Sequence, residues 1–359
     1  AVEMDGGSLP APVARAARRA ILDCLGVALA GSREPAAQIL AAQVLSQGGL
    51  AESTLWGAGG ARTSAQHAAL ANGTAAHALD YDDYILSMPG HPSVPVLPAA
   101  VAVGERLGAS GADVLAAFVV GFEAEAKLGA FSGQEAFDVG WHPTSTLGVI
   151  GATAAVGRLL GLDVPKMRSA LGLAVSMAGG VRQNFGSMAK PFHVGRAAQS
   201  AILAVELAQR GFTASPVAIE GEFGYWDMFA GALNRDGDAL ARSLGNPFAV
   251  LTPGINYKAW PCCGSTFGAV DAALQVTGGL SDGVIDGVMV DVPYTVPLVL
   301  IHHRPTTPLA AKFSLEYCVA AALLDGRVTL DHFTEEAVSR PDLQSLLRRV
   351  GYRVPEDWQ

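Results

Sequence analysis

Residues 76–99, AHALDYDDYILSMPGHPSVPVLPA, concentrate more ionisable chemistry than any comparable length of this apolar sequence. Two His and three Asp fall within fifteen positions, and four prolines and a glycine follow or interrupt them. The prolines predict a stiff, non-helical path between a helix before the segment and a helix after it. Helical spacing puts His77 and Asp80 on one face, and the loop can bring His91 back towards them. Carboxylates and imidazoles on a stiff loop at helix ends are the usual components of a general acid-base site.

The composition around this segment favours closely packed helices. Half of the 359 residues are hydrophobic, 16% are charged and only 7% are aromatic, while glycine alone contributes 42 residues. Small side chains at this density suit helices whose backbones approach each other, more than a sandwich of sheets. The length predicts roughly two domains.

The apolar character also raises the question of a membrane segment. The mean hydropathy is +0.31, and the best candidate run, residues 147–162, contains Arg158 and several glycines. It therefore falls short of the roughly 20 residues that span a bilayer. No basic segment followed by an apolar one opens the sequence, so we expect neither a secretory signal nor a membrane as partner.

The charge and the cysteines limit the partners and the compartment. A net charge of -9 without a Lys/Arg cluster argues against nucleic acid as a partner. A small anionic substrate remains compatible, because local cations decide its binding. Of the four cysteines, Cys262 and Cys263 are adjacent and Cys24 and Cys318 are isolated, which is neither a disulfide framework nor a zinc spacing. We therefore expect a cytoplasmic protein.

Capping residues and apolar stripes predict a succession of helices. The stripes at residues 8–30 and 35–46 each end at small-residue turns, and Thr63 or Ser64 caps a helix that runs through residue 78. Ser110, with Asp three residues later, forms a capping box for a later helix. No convincing strand pattern interrupts this part of the chain.

The pattern changes at about Pro253. Alternating valines in residues 284–293, VIDGVMVDVP, predict the first strand, and GRVTL at 326–330 predicts a second. The fold class we predict is mainly α, with a large all-helical domain over residues 1–253 and a smaller α+β domain over residues 254–359.

Two cations stand out in the apolar loops. Lys190 and Lys258 are each the only lysine in a Gly/Pro-rich, largely apolar loop. A cation where packing does not favour it is typical of a site that meets an anion. His142 directly precedes a Pro-Thr-Ser helix start, and Asn184 and His193 lie in the loop of Lys190. Two lysines, three histidines and an aspartate at helix ends and loops predict a pocket that binds carboxylates and moves a proton.

Each of these residues also has a purely structural interpretation. Asp80 suits the surface end of a helix, Asp82 and Asp83 suit solvated or capping positions, and His91 can simply form a hydrogen bond within its own loop.

The three acids and His91 include hard ligands for Mg²⁺ or Mn²⁺, but two nearby lysines would repel the ion. The GAGG run lacks the flanking strand and helix of a dinucleotide loop. We therefore expect neither a metal nor an organic cofactor.

Six segments, in order along nearly the whole chain, resemble the successive motifs of the MmgE/PrpD family. They are HALDYDDY, GHPSVPVLPA, GWHPTSTLGVIGA, GSMAKPFHVGRAA, YKAWPCCGSTFGAVDA and RPTTPLAAKFSLEYCVAAAL. The family includes 2-methylcitrate dehydratase, cis-aconitate decarboxylase and iminodisuccinate epimerase. The resemblance implies a large helical domain with a smaller α+β lid, a homodimer, and metal-free proton chemistry on a small di- or tricarboxylic acid in a cleft between the domains.

The resemblance also assigns site residues. The family's motifs place catalytic groups at these positions of the chain: Asp80, His91, His142, Lys190 and Lys258. We also expect Tyr84, Asn184 and His193 to contact the substrate together with the two lysines, and we expect no residue to bind a metal. Chains of the family continue beyond the position of Gln359 and return to the helical domain, so we expect this return to be missing here.

The reaction that we expect first is loss of water, as in a 2-methylcitrate dehydratase-like lyase. A base drawn from His142, His91 and Asp80 removes a proton α to a carboxylate, and converging cations stabilise the enolate-like charge. Decarboxylation of a cis-aconitate-type acid and epimerisation of an iminodisuccinate-like dicarboxylate are the alternatives. Tyr84 stands where decarboxylase-like members carry a smaller hydroxyl residue, which counts against decarboxylation, and the segments WHPTSTLGV, NFGSMAKP and KAWPCC resemble the epimerase-like members more closely. A non-catalytic carboxylate-binding protein is the alternative from another class.

Overall fold

The computed structural model describes residues 9–230, 236–277 and 285–358. These residues divide into two units. The first takes in the described residues up to Gln183 together with Lys190–Tyr257, and the second takes in Asn184–Ala189 and the described residues from Lys258 onward. None of the described helices is both long enough and apolar enough to cross a bilayer.

Helices are the main secondary structure of the first unit, as the sequence predicts. Its elements are α1 (Ala11–Gly31), α2 (Pro35–Gln47), β1 (Ser53–Thr54), β2 (Arg62–Thr63), α3 (Ala65–His77), α4 (Ser93–Leu107), α5 (Gly111–Asp138), α6 (Pro143–Thr146), α7 (Gly148–Leu159), α8 (Val164–Met177), α9 (Ala189–Gln209) and α10 (Gly237–Ser243). The two short strands pair antiparallel. The mainly α fold class is therefore confirmed.

Side-chain caps set several helix starts. Ser64 accepts a hydrogen bond from the N–H of His67, and Ser110 accepts one from the N–H of Asp113. Asp163 caps α8 in the same way. Each cap satisfies one of the N–H groups that the first turn of a helix leaves without an intrahelical partner.

Glycines let the helices of the first unit approach backbone to backbone. A Cβ added at Gly121 of α5 would lie 2.6 Å from the carbonyl oxygen of Gly151 in α7. A Cβ at Gly73 of α3 would lie 2.9 Å from the Cα of Gly195 in α9, and one at Gly195 would lie 2.1 Å from the carbonyl oxygen of Leu70. Such contacts exclude any side chain, which explains the small-residue composition. The α3–α9 contact is the one that positions the candidate site.

Two sequence expectations about the loops are wrong. The stiff loop ends at Pro92, because α4 begins at Ser93 and includes Pro95 and Pro98. Pro95 lies in the first turn, where a missing N–H costs no helical hydrogen bond. Lys190 and His193 lie not in a loop but in the first turns of α9, where Pro191 is tolerated for the same reason.

The second unit combines short helices with one strand pair. Its elements are α11 (Phe267–Thr277), β3 (Val288–Asp291), α12 (Val296–Val299), α13 (Pro308–Ala311), α14 (Leu315–Asp325), α15 (Glu335–Val338), α16 (Pro341–Leu347) and β4 (Val350–Arg353). β3 pairs parallel with β4, with Val288 opposite Val350. The first residue of the strand predicted at 284–293 lies outside the described residues.

The strand predicted at residues 326–330 is wrong. Gly326 is the left-handed C-cap of α14, and Thr329 caps a 3₁₀ turn, Leu330–Phe333. The Thr329 N–H donates to Nδ1 of His332 at 3.0 Å. This local capping competes with the extended conformation that the Val-Thr-Leu pattern favours. β4, the true partner of β3, lies about twenty residues later in the chain.

Candidate active site

The site begins where α3 ends. His77 is the last residue of α3 and is buried, and the N–H of Asp80 donates to its carbonyl oxygen at 3.2 Å. Asp80 has a φ of 51°, in the left-handed region that a short polar side chain tolerates better than most. The sequence spacing predicts that Asp80 lies on the same helix face as His77. This prediction is wrong, because the helix ends at His77 and Asp80 has a left-handed conformation. A left-handed turn brings the two side chains to the same place instead.

Lys190 joins these two residues from α9. Its Nζ donates to Oδ1 of Asp80 at 2.5 Å and contacts Nε2 of His77 at 2.7 Å, and its side chain is 5% exposed. An ammonium group can only donate, so Nε2 of His77 is the acceptor in this contact. The buried cation is thus shared between a carboxylate and a neutral imidazole.

Asp82 closes the group on the other side. Its Oδ2 lies 2.8 Å from Nδ1 of His77 and 3.0 Å from Nδ1 of His91. Nε2 of His91 in turn lies 3.9 Å from Oδ1 of Asp80. These contacts form a closed chain of ionisable groups, the polar ring, which consists of His77, Asp80, Asp82, His91 and Lys190.

Two more imidazoles extend the polar ring. His142, the N-cap of α6, stacks on His77 with ring centroids 5.7 Å apart and an interplanar angle of 24°. Its Nδ1 lies 3.2 Å from Nδ1 of His193, which is one turn beyond Lys190 on α9. Because two Nδ1 atoms face each other, the pair shares a hydrogen bond with a single proton.

Burial sets the charge state of these imidazoles. Burial lowers the pKa of His77 to about 3, although Asp82 opposes the shift, and the charge of Lys190 lowers it further. Burial and Lys190 also hold the pKa of His142 well below its usual range and lower that of His193 to about 4. The three imidazoles are therefore neutral near pH 7, and the negative charge of a bound anion would raise their affinity for a proton.

The neighbouring carboxyls divide into charged and neutral groups. Burial opposes the ionisation of Asp82, but its interactions with His77 and His91 outweigh burial and hold its pKa well below the usual range. Burial raises the pKa of Asp83 to about 8, even though the Ser93 hydroxyl donates to its Oδ2 at 2.5 Å. Burial also raises the pKa of Asp23 to about 6. Near pH 7, Asp82 is thus charged and Asp83 is largely protonated, whereas Asp23 is mostly ionised.

Five of the predicted site residues lie together in the structure. Asp80, His91, His142, Lys190 and His193 form one cluster in the first unit. The main chain of Tyr84 exchanges two hydrogen bonds of 2.9 Å with Asn256. Asn184 and Lys258 belong to the second unit. There Lys258 is buried, and its Nζ donates to the carbonyl oxygen of Cys262 at 3.1 Å.

Two members of the polar ring, His77 and Asp82, are absent from the site residues predicted from the sequence. Both stand in the segment at 76–99, so their residue types gave the signal. Sequence spacing alone does not reveal that the side chain of Asp82 turns inwards between two imidazoles.

A divalent cation would find different ligands from those predicted. The described residues contain one such cluster, in which donor atoms of His77, Asp82 and His91 lie within 4.8 Å of one another. Asp80 is bonded to Lys190, and Asp83 is bonded to Ser93. An ion held by His77 would have to displace the Nδ1 proton and lie near the Lys190 ammonium group, which opposes its binding.

Comparison with known proteins gives consistent matches along the chain. Residues 1–236 match the MmgE/PrpD N-terminal domain, and residues 260–359 match the MmgE/PrpD C-terminal domain. Cis-aconitate decarboxylase of Homo sapiens is 32% identical over 365 aligned positions, which cover 98% of this chain and 74% of the human protein. The Mus musculus enzyme is 31% identical over 357 positions, covering 96% of this chain and 72% of the relative. That of Aspergillus terreus is 28% identical over 374 positions, covering 98% and 76%.

Proposed function

Because this chain belongs to the MmgE/PrpD family, we propose that it is a lyase that removes CO₂ from cis-aconitate or a closely related tricarboxylic acid. The names of the human, mouse and fungal relatives support this reaction over loss of water. The observation that carries the proposal is the buried Lys190 ammonium group, held at 2.5 Å from Asp80 among neutral imidazoles. Such a site offers a cation for a substrate carboxylate and several groups that exchange protons.

The chemistry of the substrate defines what the site must do. cis-Aconitate has three carboxylates on a three-carbon chain with one double bond. When the bond between the saturated carbon and its carboxylate breaks, CO₂ leaves and the electron pair moves through the allylic system. It comes to rest on the carbon next to the far carboxylate, which takes up one proton to give methylenesuccinate. The enzyme must therefore stabilise a delocalised carbanion and deliver one proton to carbon.

Lys190 is our candidate for the first task. An ammonium group near the carboxylate that conjugates with the carbanion stabilises the charge where it develops, and burial strengthens that interaction. A bound tricarboxylate also brings negative charge to the neighbouring imidazoles, which raises their affinity for a proton.

His91 is our candidate for the second task. Its side chain is 14% exposed, compared with 0% for that of His77, so it has access to a ligand. Its Nδ1 faces two acceptors, which leaves Nε2 to take a proton and pass it on. Lys258 is a second candidate cation through the family resemblance. The homodimer, the absence of a cofactor and the cytoplasmic location stay predictions.

The proposal is tested by offering the purified protein a panel of acids and following the products by ¹³C NMR. cis-Aconitate should lose CO₂ and give methylenesuccinate, whereas citrate and malate should stay unchanged. Binding of cis-aconitate without any product would instead support a non-catalytic carboxylate-binding protein.

Loss of water from 2-methylcitrate is the second candidate, because Tyr84 stands where the family resemblance implies a smaller hydroxyl residue in decarboxylase-like members. The same panel decides between the two reactions. If the protein converts 2-methylcitrate into an alkene and leaves cis-aconitate intact, the proposed function is dehydration and not decarboxylation.

A further inference from the structure

The polar ring contains one carboxylate that contacts two histidines at equivalent nitrogens. Oδ2 of Asp82 lies 2.8 Å from Nδ1 of His77 and 3.0 Å from Nδ1 of His91, and Asp82 is fully buried. Among the described residues, Oδ1 of the same carboxylate has no hydrogen-bond partner. The two imidazoles are therefore its principal stabilising contacts.

We propose that Asp82 is a positioning residue that holds both His77 and His91 in the tautomer with the proton on Nδ1, so that Nε2 of each faces the reacting groups. The effect on turnover rests on the proposed function. The assignment of the tautomers does not, because it follows from the contacts of the protein alone.

At His91 the contacts leave one choice of tautomer. Nδ1 lies 3.0 Å from Oδ2 of Asp82 and 2.9 Å from the carbonyl oxygen of Asp83, and both of these atoms are acceptors. A lone pair on Nδ1 would face two oxygens, so this nitrogen carries the proton. Nε2 is then the basic nitrogen, on the side of Asp80.

At His77 the same tautomer orients Lys190. With its proton on Nδ1, His77 presents the Nε2 lone pair to Nζ of Lys190 at 2.7 Å. The other tautomer would place an N–H group against the ammonium group and a lone pair against the Asp82 carboxylate. Asp82 thus acts on the cation through His77, and on the proton donor through His91. A carboxylate that orients an imidazole in this way changes turnover without touching the substrate.

The adjacent Asp83 provides a matched control. Its side chain bonds to Ser93, through the Ser93 hydroxyl at 2.5 Å and the Ser93 N–H at 3.3 Å. The contact of Asp83 with His91 uses only its main-chain carbonyl, which a side-chain substitution retains. Asp82→Asn removes a charge next to two imidazoles, whereas Asp83→Asn changes a carboxyl that does not contact them.

The first experiment is two-bond ¹H–¹⁵N correlation NMR of the wild-type protein labelled with ¹⁵N-histidine. The chain has 8 histidines, so spectra of His77→Gln and His91→Gln assign the two signals. We expect both imidazoles to carry the proton on Nδ1. A proton on Nε2 of either neutral ring would overturn the proposal, whether or not the protein turns over cis-aconitate. This measurement needs no Asp82 variant and is therefore independent of its folding.

The second experiment compares Asp82→Asn with Asp83→Asn in steady-state kinetics with cis-aconitate. Loss of an imidazole-orienting carboxylate should lower kcat by about 10²- to 10⁴-fold, with a much smaller change in KM. Asp83→Asn should retain the wild-type kcat. Equal kcat values for folded Asp82→Asn and wild type would overturn the catalytic part of the proposal. A wild-type protein that releases no CO₂ would refute the proposed function instead, and the NMR result would still decide the tautomers.

Discussion

Replacing Lys190 by methionine removes the ammonium group and keeps an unbranched side chain of similar length. The wild-type Nζ lies 2.5 Å from Oδ1 of Asp80 and 2.7 Å from Nε2 of His77. Removal of one partner from a buried ion pair costs about 3–5 kcal/mol. Asp80 can respond by taking up a proton, so we expect the lower end of that range, about 3 kcal/mol of unfolding free energy.

The same substitution should reduce binding and turnover. Loss of a buried charge that meets a charged ligand costs about 2–5 kcal/mol, which corresponds to roughly a 30- to 4000-fold loss of kcat/KM. It should also raise the pKa values of three histidines, because the charge of Lys190 is one cause of their low values: His77, His142 and His193. A change of catalytic rate without this change of titration would mean that Lys190 does not lie among the imidazoles.

Three measurements on Lys190→Met separate these effects. Urea unfolding gives the stability, ¹H NMR titration gives the histidine pKa values, and calorimetry with propane-1,2,3-tricarboxylate gives the affinity for an unreactive analogue. Steady-state kinetics with cis-aconitate, run beside these three measurements, gives kcat/KM. Lys166→Met is the matched control, since Lys166 is exposed in the first turn of α8. Its stability should stay within about 0.5 kcal/mol of wild type, with unchanged turnover. Wild-type affinity and kcat/KM in Lys190→Met would refute the role of Lys190 in the site.

Three further perturbations test the packing, the buried acid and the metal-free interpretation. Gly195→Ala places a Cβ 2.1 Å from the Leu70 carbonyl oxygen, so it should destabilise the protein by about 1–3 kcal/mol or more in urea unfolding and lower kcat/KM by moving Lys190. Gly26→Ala meets nothing within 4 Å and should stabilise α1 by roughly 0.5–1 kcal/mol; equal effects of the two would contradict the packing argument. The pKa of Asp83 is raised to about 8, so the folded protein keeps this carboxyl protonated at pH values where the unfolded chain, with a pKa of about 3.9, has lost the proton. The free energy of unfolding is therefore highest below about pH 3.9 and falls as the pH rises towards 8. Asp83→Asn should therefore gain thermal stability relative to wild type from pH 5 to pH 8, and a constant difference in Tm would count against a protonated Asp83. EDTA should leave turnover unchanged, whereas loss of activity that Zn²⁺ or Mg²⁺ restores would assign a metal to His77, Asp82 and His91.

Local signals in the sequence account for much of the fold. Ser64 and Ser110 cap helices as predicted because a cap needs only a hydroxyl and an N–H three residues away. Local signals could not predict the pairing of β3 with β4, because the two strands are some sixty residues apart in the chain. The prolines at 95 and 98 led to the wrong prediction that the helix begins only after them. A helix tolerates Pro95 because it lies in the first turn, and buried packing outweighs the one hydrogen bond that Pro98 removes.

The candidate site was predictable in its residue types more than in its geometry. Lys190 stood out as a cation in an apolar stretch, and the structure places it against Asp80 and His77. The contact depends on the close approach of α3 and α9 at Gly73 and Gly195, which no local pattern reveals. The inward orientation of Asp82 likewise depends on the left-handed turn at Asp80.

The most direct test of the proposed reaction is turnover of cis-aconitate in D₂O, followed by ¹H and ¹³C NMR. A proton delivered from solvent-exchanging groups such as His91 predicts release of CO₂ and methylenesuccinate with one deuterium per molecule, located on the saturated carbon next to a carboxylate. Unchanged cis-aconitate, or deuterium exchange without release of CO₂, would contradict the account.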